Sequence, residues 1–483
     1  MSDADKLIQT ATVPQLVQAI RNGETNASDL VNSCLARIEK HNDALRAIIS
    51  ISPIANDEAT KLDTRISQGE QLPPLAGIPI LIKDNIETRE LPTTAGSLAL
   101  QHNHTERDAP IIAALRQAGA IIIGKTNLSE WANIRSAHSS SGWSAIGGQC
   151  RNAYDVSRSP CGSSAGSAVA VASRMAPLAI GTETDGSIVS PASANGVVGF
   201  KPTMALLSQV GIVPISHSQD TAGPMAVDVA SAALMFDVLH GDSELTDFQD
   251  ADLVGKRIGV VRSAAGFHPE VDAVFNNAVS LFKGQGADIV DGLQLKPESR
   301  GFGRAEFTRL LIELKHDLNA YLADLPNDLN QLDLAAIIAF NQQHQPQEMP
   351  LFGQDTFIIA EASDGLQSDA YRQASDLLDR EAAGALDGLL QGQELDVLIA
   401  PTSGVPGPID QINGEHVPGG ISTLPAVAGY PHLTLPMGWV RHMPVGLSII
   451  ARADTDREVF RIGYEFERTL QAQPAYCAFI PNL

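Results

Sequence analysis

Apolar positions between residues 13 and 40 recur at helical spacing and break at Gly23, which predicts two helices. In the second, Leu30, Val31, Cys34, Leu35 and Ile38 share one face, with Ser28 placed as the N-cap. A short apolar run at 47–51 and a charged helix over 53–68 follow. From residue 75 the texture changes to strand (77–82), helix (109–118) and strand (120–123), the alternation of an α/β sheet with helices packed on it. A helix of small residues (167–175) precedes strands at 177–180 and 197–200. Residues 268–390 are charged and helical in pattern, read as a peripheral helical insertion carrying Glu313, Lys315, His316 and Asp317. Strand character returns at 395–400, 432–435 and 445–451, making 395–470 the C-terminal part of the sheet. No repeat and no linker divides the chain. The expectation is one domain over 1–483 with its core in 70–230: α/β, a single large mixed β-sheet covered by helices on both faces.

Between 136 and 166 the pattern dissolves into Gly, Ser, Asn and Pro with isolated Trp, Ile and Tyr. So long an irregular stretch between two strongly apolar segments points to function. At 483 residues, 44% hydrophobic and 18% charged, the chain can build a large core without disulfides or structural metals. Its net charge of −23, from 33 basic and 56 acidic residues, argues against nucleic acid or anionic membrane as the main partner. Cys34, Cys150, Cys161 and Cys477 show no CxxC and no zinc-like His spacing, which fits a reducing compartment. No secretory signal and no apolar run of spanning length is visible, so a cytoplasmic location is expected.

Two motif matches read differently once their neighbours are considered. Gly119-Ala-Ile-Ile-Ile-Gly-Lys-Thr126 fits the phosphate-loop pattern, but three consecutive Ile belong to a buried strand and not to a turn. Gly162-Ser-Ser-Ala-Gly166 fits GxSxG, with Ser164 as nucleophile and Asp396 and His432 as possible partners. The polar, Pro-containing residues before it do not make the strand that such an elbow requires. A third reading joins Lys83, at the end of the apolar run Ile78–Ile82, to two Gly/Ser loops, Cys161-Gly-Ser-Ser-Ala-Gly-Ser167 and Gly181-Thr-Glu-Thr-Asp-Gly-Ser187. A buried lysine loses its charge and can accept a proton, a hydroxyl can attack, and a Gly-rich turn can offer backbone donors to an oxyanion.

On these residues the chain resembles the amidase signature family nearly end to end. The resemblance includes Gly77–Asn85, Gly124–Trp131, both Ser loops, Gly199-Phe-Lys-Pro-Thr203, Asp220-Thr-Ala-Gly-Pro-Met225, Ala428-Gly-Tyr-Pro431 and Pro444-Val-Gly-Leu447. It implies Lys83 as general base, Ser163 as bridging serine and Ser187 as nucleophile. It also implies an oxyanion hole from the backbone N–H groups of Thr184, Asp185, Gly186 and Ser187, and a cis Ser163–Ser164 peptide bond. No metal or cofactor is implied. Ala165, Asp185 and Val189 depart from the commonest pattern, with Val189 replacing a frequent Arg. The Glu-Thr-Asp-Gly-Ser-Ile-Val form, with Ser141-Gly-Trp-Ser144 and Leu351-Phe-Gly-Gln-Asp355, is most similar to the peptide amidases, which act on C-terminal amides of peptides. Acyl-side specificity is expected from loops around 137–143 and the helical insertion. The alternatives are the A subunit of a glutamine-dependent amidotransferase and a non-catalytic amidase-like binding module.

Overall fold

Strand β1 (Ile48–Ile51) is followed by β2 (Pro79–Lys83) and β3 (Ile121–Thr126), then by a small ribbon of β4 (Trp143–Ser144) and β5 (Gly148–Gln149). Strands β6 (Leu178–Glu183), β7 (Val198–Lys201) and β8 (Thr221–Ala226) complete the first half. The second half adds β9 (Arg257–Val261), β10 (Asp288–Leu293), β11 (Val397–Pro401), β12 (His432–Val440) and β13 (Met443–Ile450). The computed structural model describes residues 2–241, 248, 250–416 and 418–472, so Cys477 lies outside the described residues. Among those described, eleven strands form one sheet in the order β1-β3-β2-β6-β8-β7-β12-β13-β11-β9-β10.

The sheet is mixed. β2 runs parallel to β3 and β6, and β9 parallel to β10 and β11, whereas β6–β8, β7–β8, β7–β12 and β12–β13 are antiparallel. Every residue of β2, β3, β6, β11 and β13 is buried, as in strands covered on both faces. The wholly buried helix Ala165–Ala172 packs on β2, β3 and β6. Small residues permit this approach: a Cβ on Gly166 would meet the Ala47 carbonyl oxygen at 2.3 Å. Helices Val189–Ala194, Pro269–Gly284 and Asp456–Gln471 cover the β12 side. Pairing of Leu433 in β12 with Phe200 in β7 joins the two halves into one layer, as expected of a single large sheet.

Several local expectations change. The second helix runs Ala27–Leu45 and is capped by Asn26, whose side chain accepts from the Asp29 amide at 2.8 Å. Ser28 is instead inside the first turn, with its hydroxyl donating to Asp63 at 2.6 Å. Gly124, Lys125 and Thr126 belong to β3, so the phosphate-loop match is strand almost throughout. The 268–390 segment contributes edge strand β10 besides its helices, among them Phe302–Ala323 and Asp369–Leu390, which pack on each other. The Asp and Gly residues within Asp288–Leu293 hide its period: only Leu293 is buried.

Candidate active site

Lys83 ends β2 and is fully buried. The parallel register sets Ile82 beside Ile180, so Lys83 emerges next to the end of β6. Its Nζ lies 2.8 Å from Ser163 Oγ, 2.8 Å from Thr182 Oγ1 and 3.2 Å from the Thr182 carbonyl. Asn85 Nδ2 donates to the same Thr182 hydroxyl at 3.0 Å. Burial pulls the Lys83 ammonium down to about 7, against the opposing pull of Asp220 and Glu183. A neutral amine can then donate two N–H bonds to Thr182 and turn its lone pair to the Ser163 hydroxyl.

Ser163 stands in the loop just before helix Ala165–Ala172. The cis peptide bond joins Gly162 to Ser163, one bond earlier than the expected Ser163–Ser164 position. A Cβ on Gly162 would stand 2.2 Å from Ser129 Oγ, so a side chain here would push that hydroxyl off the Gly142 amide. The Ser129 amide donates to the Ser163 carbonyl at 3.0 Å, fixing the loop from the other side. Ser164 is a clamp: its hydroxyl donates to the Thr182 carbonyl at 3.0 Å and accepts from the Thr182 amide at 3.2 Å. The other members of a GxSxG triad are occupied elsewhere. His432 Nε2 pairs with Ser448 Oγ at 2.6 Å, and Asp396 accepts from the Arg257 amide at 2.7 Å.

The turn after β6 carries Ser187. Gly186 adopts φ 79°, a left-handed conformation that favours glycine, whereas Asp185 and Ala165 are outside the left-handed region and fit as ordinary residues. Glu183 Oε2 accepts from the amides of Ile188 and Val189 at 2.7 and 3.0 Å, pinning the turn to helix Val189–Ala194. The Ser164 amide donates to the Ser187 carbonyl at 3.1 Å, so the two serine loops are joined through the backbone. Ser187 is 8% exposed, and its hydroxyl makes no hydrogen bond among the described residues. The amides of Thr184, Asp185, Gly186 and Ser187 likewise donate to no described group. Backbone N–H groups left unclaimed on the turn that carries Ser187 are of the kind that can hold an oxyanion.

Several functional neighbours were not singled out from sequence. Thr184 Oγ1 donates to Asp220 Oδ1 at 2.5 Å, and Asp220 Oδ2 accepts from the amides of Ile215 and Ser216 at 2.7 and 2.9 Å. Thr182, Glu183 and Asp220 lie inside motifs already marked, which was the available signal. Glu306 had none: it reaches the site from helix Phe302–Ala323, where Gln219 Nε2 bridges it to the Thr184 carbonyl at 3.3 Å each way. Burial and then the nearby Asp185 push the Glu306 carboxyl up to about 8. Asp185 itself accepts from Thr423 Oγ1 at 2.7 Å, with the Ser422 hydroxyl as a second donor.

The two segments expected to set acyl specificity meet beside the Ser163 loop. Trp143 packs edge-on against Phe352 with ring centroids 5.2 Å apart, and the Arg135 guanidinium covers Phe352 at 4.3 Å. Arg135 is fully buried, pairs with Glu130 at 2.8 Å and donates to the Gly353 carbonyl at 2.9 Å. The Gly142 amide donates to Ser129 Oγ at 2.8 Å, which sets this wall against Gly162.

Residues 29–460 match the Amidase family model. The chain is 32% identical to a probable amidase of Arabidopsis thaliana, over 97% of this chain and 91% of that one. It is 30% identical to a glutamyl-tRNA(Gln) amidotransferase A subunit from Natranaerobius thermophilus, over 95% and 96% of the two chains. Among solved structures, the native peptide amidase from Stenotrophomonas maltophilia superimposes with a TM-score of 0.90 at 42% identity, covering 96% of this chain and 98% of that one. An amidase family protein from Bacillus anthracis gives a TM-score of 0.88 at 32% identity, covering 99% and 94%. The chain belongs to the amidase family.

Proposed function

We propose that this amidase is a serine hydrolase that cleaves C-terminal carboxamides of peptides, using Ser187 as nucleophile, Ser163 as proton relay and Lys83 as base. The observation that carries this reading is the buried Lys83 amine 2.8 Å from Ser163 Oγ, in a loop bonded directly to the Ser187 backbone. Ser187 Oγ attacks the amide carbon while its proton passes to Ser163 Oγ and the Ser163 proton passes to Lys83 Nζ. The carbonyl oxygen becomes an oxyanion held by the amides of Thr184 to Ser187. The C–N bond then breaks as the proton returns along the same relay to the departing nitrogen, releasing ammonia and an acyl-Ser187 ester. Water attacks that ester by the same relay, freeing the carboxylate. The Ser187 to Ser163 bond closes with substrate in place, as catalytic hydrogen bonds commonly tighten in the bound complex.

The substrate class rests on the similarity to the Stenotrophomonas maltophilia peptide amidase and on the charges near the nucleophile. Asp185 beside Ser187 and Val189 on the following turn offer no cation to a substrate carboxylate, which disfavours free glutamine and suits a neutral carboxamide. Similarity to amidotransferase A subunits keeps a glutamine-using role as the competing reading. A cytoplasmic setting agrees with Cys34, Cys150 and Cys161 being free and buried.

Ammonia release should be measured across amidated dipeptides, free glutamine, aliphatic amides and aryl amides. Amidated dipeptides should be preferred over glutamine by at least about a hundredfold in kcat/KM, or about 2.7 kcal/mol. Preference for glutamine, or activity only with a copurifying partner, would transfer the chain to the amidotransferase reading.

A further inference from the structure

The residues Glu313, Lys315, His316 and Asp317 lie on helix Phe302–Ala323; Glu313 and Asp317 bond the loop that leads into β8, and the His316 ring stands edge-on to His217 of that loop with centroids 6.4 Å apart. There two imidazoles meet one carboxylate. His217 Nδ1 is 2.8 Å from Asp317 Oδ2, and His316 Nδ1 is 2.8 Å from Asp317 Oδ1. One donor atom from each of the three residues lies within 4.8 Å of the other two. His217 and His316 are about half exposed, with side chains at 46% and 57%, so the space before them opens to solvent.

The backbone beneath the cluster is fixed independently of the imidazoles. The His217 amide donates to Asp317 Oδ2 at 2.8 Å. Buried Glu313 accepts from Ser216 Oγ, from Ser218 Oγ at 2.8 Å and from Tyr371 OH at 2.7 Å, while its Oε1 stands 3.6 Å from His217 Nε2. The ligand-bearing loop is thus held on the helix before anything binds.

We propose that His217, His316 and Asp317 form a binding site for one divalent transition cation of the zinc, cobalt or nickel type, separate from the catalytic serines. Two imidazole nitrogens with one carboxylate suit such ions and not Mg2+ or Ca2+, which prefer all-oxygen sites. At metal–ligand lengths of about 2.0–2.1 Å, tetrahedral ligand atoms stand roughly 3.3 Å apart. The 2.8 Å nitrogen–oxygen separations open toward that, and the two imidazole donor atoms, within 4.8 Å of each other, close toward it, as one cation replaces the protons shared between each Nδ1 and the carboxylate. Solvent fills the remaining position. The ion would tie the 215–220 loop to the helix, and that loop carries Asp220, the acceptor for Thr184 Oγ1 at 2.5 Å. A cation here stiffens the support of the Ser187 turn without touching Lys83, Ser163 or Ser187.

The test is equilibrium dialysis with Zn2+, and visible spectroscopy with Co2+, on the full chain after chelation. Wild type, His217→Ala, His316→Ala and His442→Ala are compared, with His442 as an exposed histidine elsewhere. One tight Zn2+ per wild-type chain is expected, with cobalt ligand-field bands of a low-coordinate site. His217→Ala and His316→Ala should each weaken binding at least about tenfold, and His442→Ala should not change it. Circular dichroism shows whether each variant is folded, and His316→Gln serves as a second variant at a solvent-facing position. Absence of tight wild-type binding, or binding that survives both histidine losses, would reduce the cluster to a hydrogen-bonded tie between loop and helix.

Discussion

The Ser164 amide donates to the Ser187 carbonyl at 3.1 Å, so the residue after the proposed relay holds the proposed nucleophile by its backbone. Adjacent serines in one loop therefore have separate duties. Ser163 offers its hydroxyl to Lys83, and Ser164 offers its hydroxyl and amide to β6 and the Ser187 turn.

That division predicts opposite phenotypes for two alanine substitutions. Ser187→Ala should lower kcat by about 10⁴-fold or more with an unchanged urea midpoint, since the lost hydroxyl makes no bond in the resting fold. Ser164→Ala strands the buried Thr182 amide and leaves the Thr182 carbonyl with Lys83 as its remaining side-chain donor, which should cost about 1–3 kcal/mol of stability with a much smaller loss of rate. Urea unfolding alongside steady-state ammonia release separates the two. A catalytically dead but fully stable Ser164→Ala would restore the GxSxG reading.

The proposed base predicts a pH profile. Burial sets Lys83 at about 7, against the ordinary 10.5. Below about 7 the amine is protonated, has no lone pair and cannot accept the Ser163 proton. Hence kcat/KM should fall about tenfold per unit as pH drops below this value, and level off above it. Between about 7 and 10.5 the unfolded chain binds more protons at this residue than the folded chain. Its contribution to stability therefore rises with pH across that interval and is lost below it. Lys83→Met should remove the acid limb together with most of the activity. A limb that persists in residual Lys83→Met activity would assign the titration to another group.

Asp220 offers a finer control on that limb. Its charge is the largest of the influences that hold the Lys83 proton on. Asparagine keeps a carbonyl for the amides of Ile215 and Ser216, and the Thr184 hydroxyl can turn to accept. Asp220→Asn should therefore move the acid limb of kcat/KM to lower pH, by up to about one unit. An unmoved limb, or a shift to higher pH, would show that the Asp220 charge does not reach the base.

Much of this site was legible because its chemistry is concentrated in short motifs. Lys83 ends an apolar strand, and both serines sit in Gly-rich turns where few other residues would fit. The central strands β2, β3 and β6 were visible as apolar runs, since strands covered on both faces have no polar alternation to lose. Strand β8 was not, because Thr-Ala-Gly-Pro-Met-Ala lacks the β-branched residues that mark a strand and places Pro224 in the middle of the sheet opposite Ile180. Glu306 was invisible for a different reason. Its approach to Asp185 depends on how a distant helix docks, which no local spacing encodes.

The same strand supplies a test of how tightly the sheet supports the site. A Cβ on Gly223 would stand 2.0 Å from the Phe200 carbonyl oxygen and 3.0 Å from Ile188, the residue after the proposed nucleophile. The first obstacle is backbone of the adjacent β7, which cannot swing aside like a side-chain tip. Gly223→Ala should therefore cost about 3 kcal/mol of stability, and lower activity further by displacing the β6–β8 frame that carries the 184–187 turn. Gly384, within helix Asp369–Leu390, provides the opposite case, since an added Cβ there meets nothing within 4 Å. Gly384→Ala should stabilise by about 0.5–1 kcal/mol through the lower entropy of the unfolded chain, with activity unchanged. Urea midpoints moving in opposite directions would bear out both placements. A Gly223→Ala enzyme as stable as wild type would mean that β7 and β8 are not packed this closely.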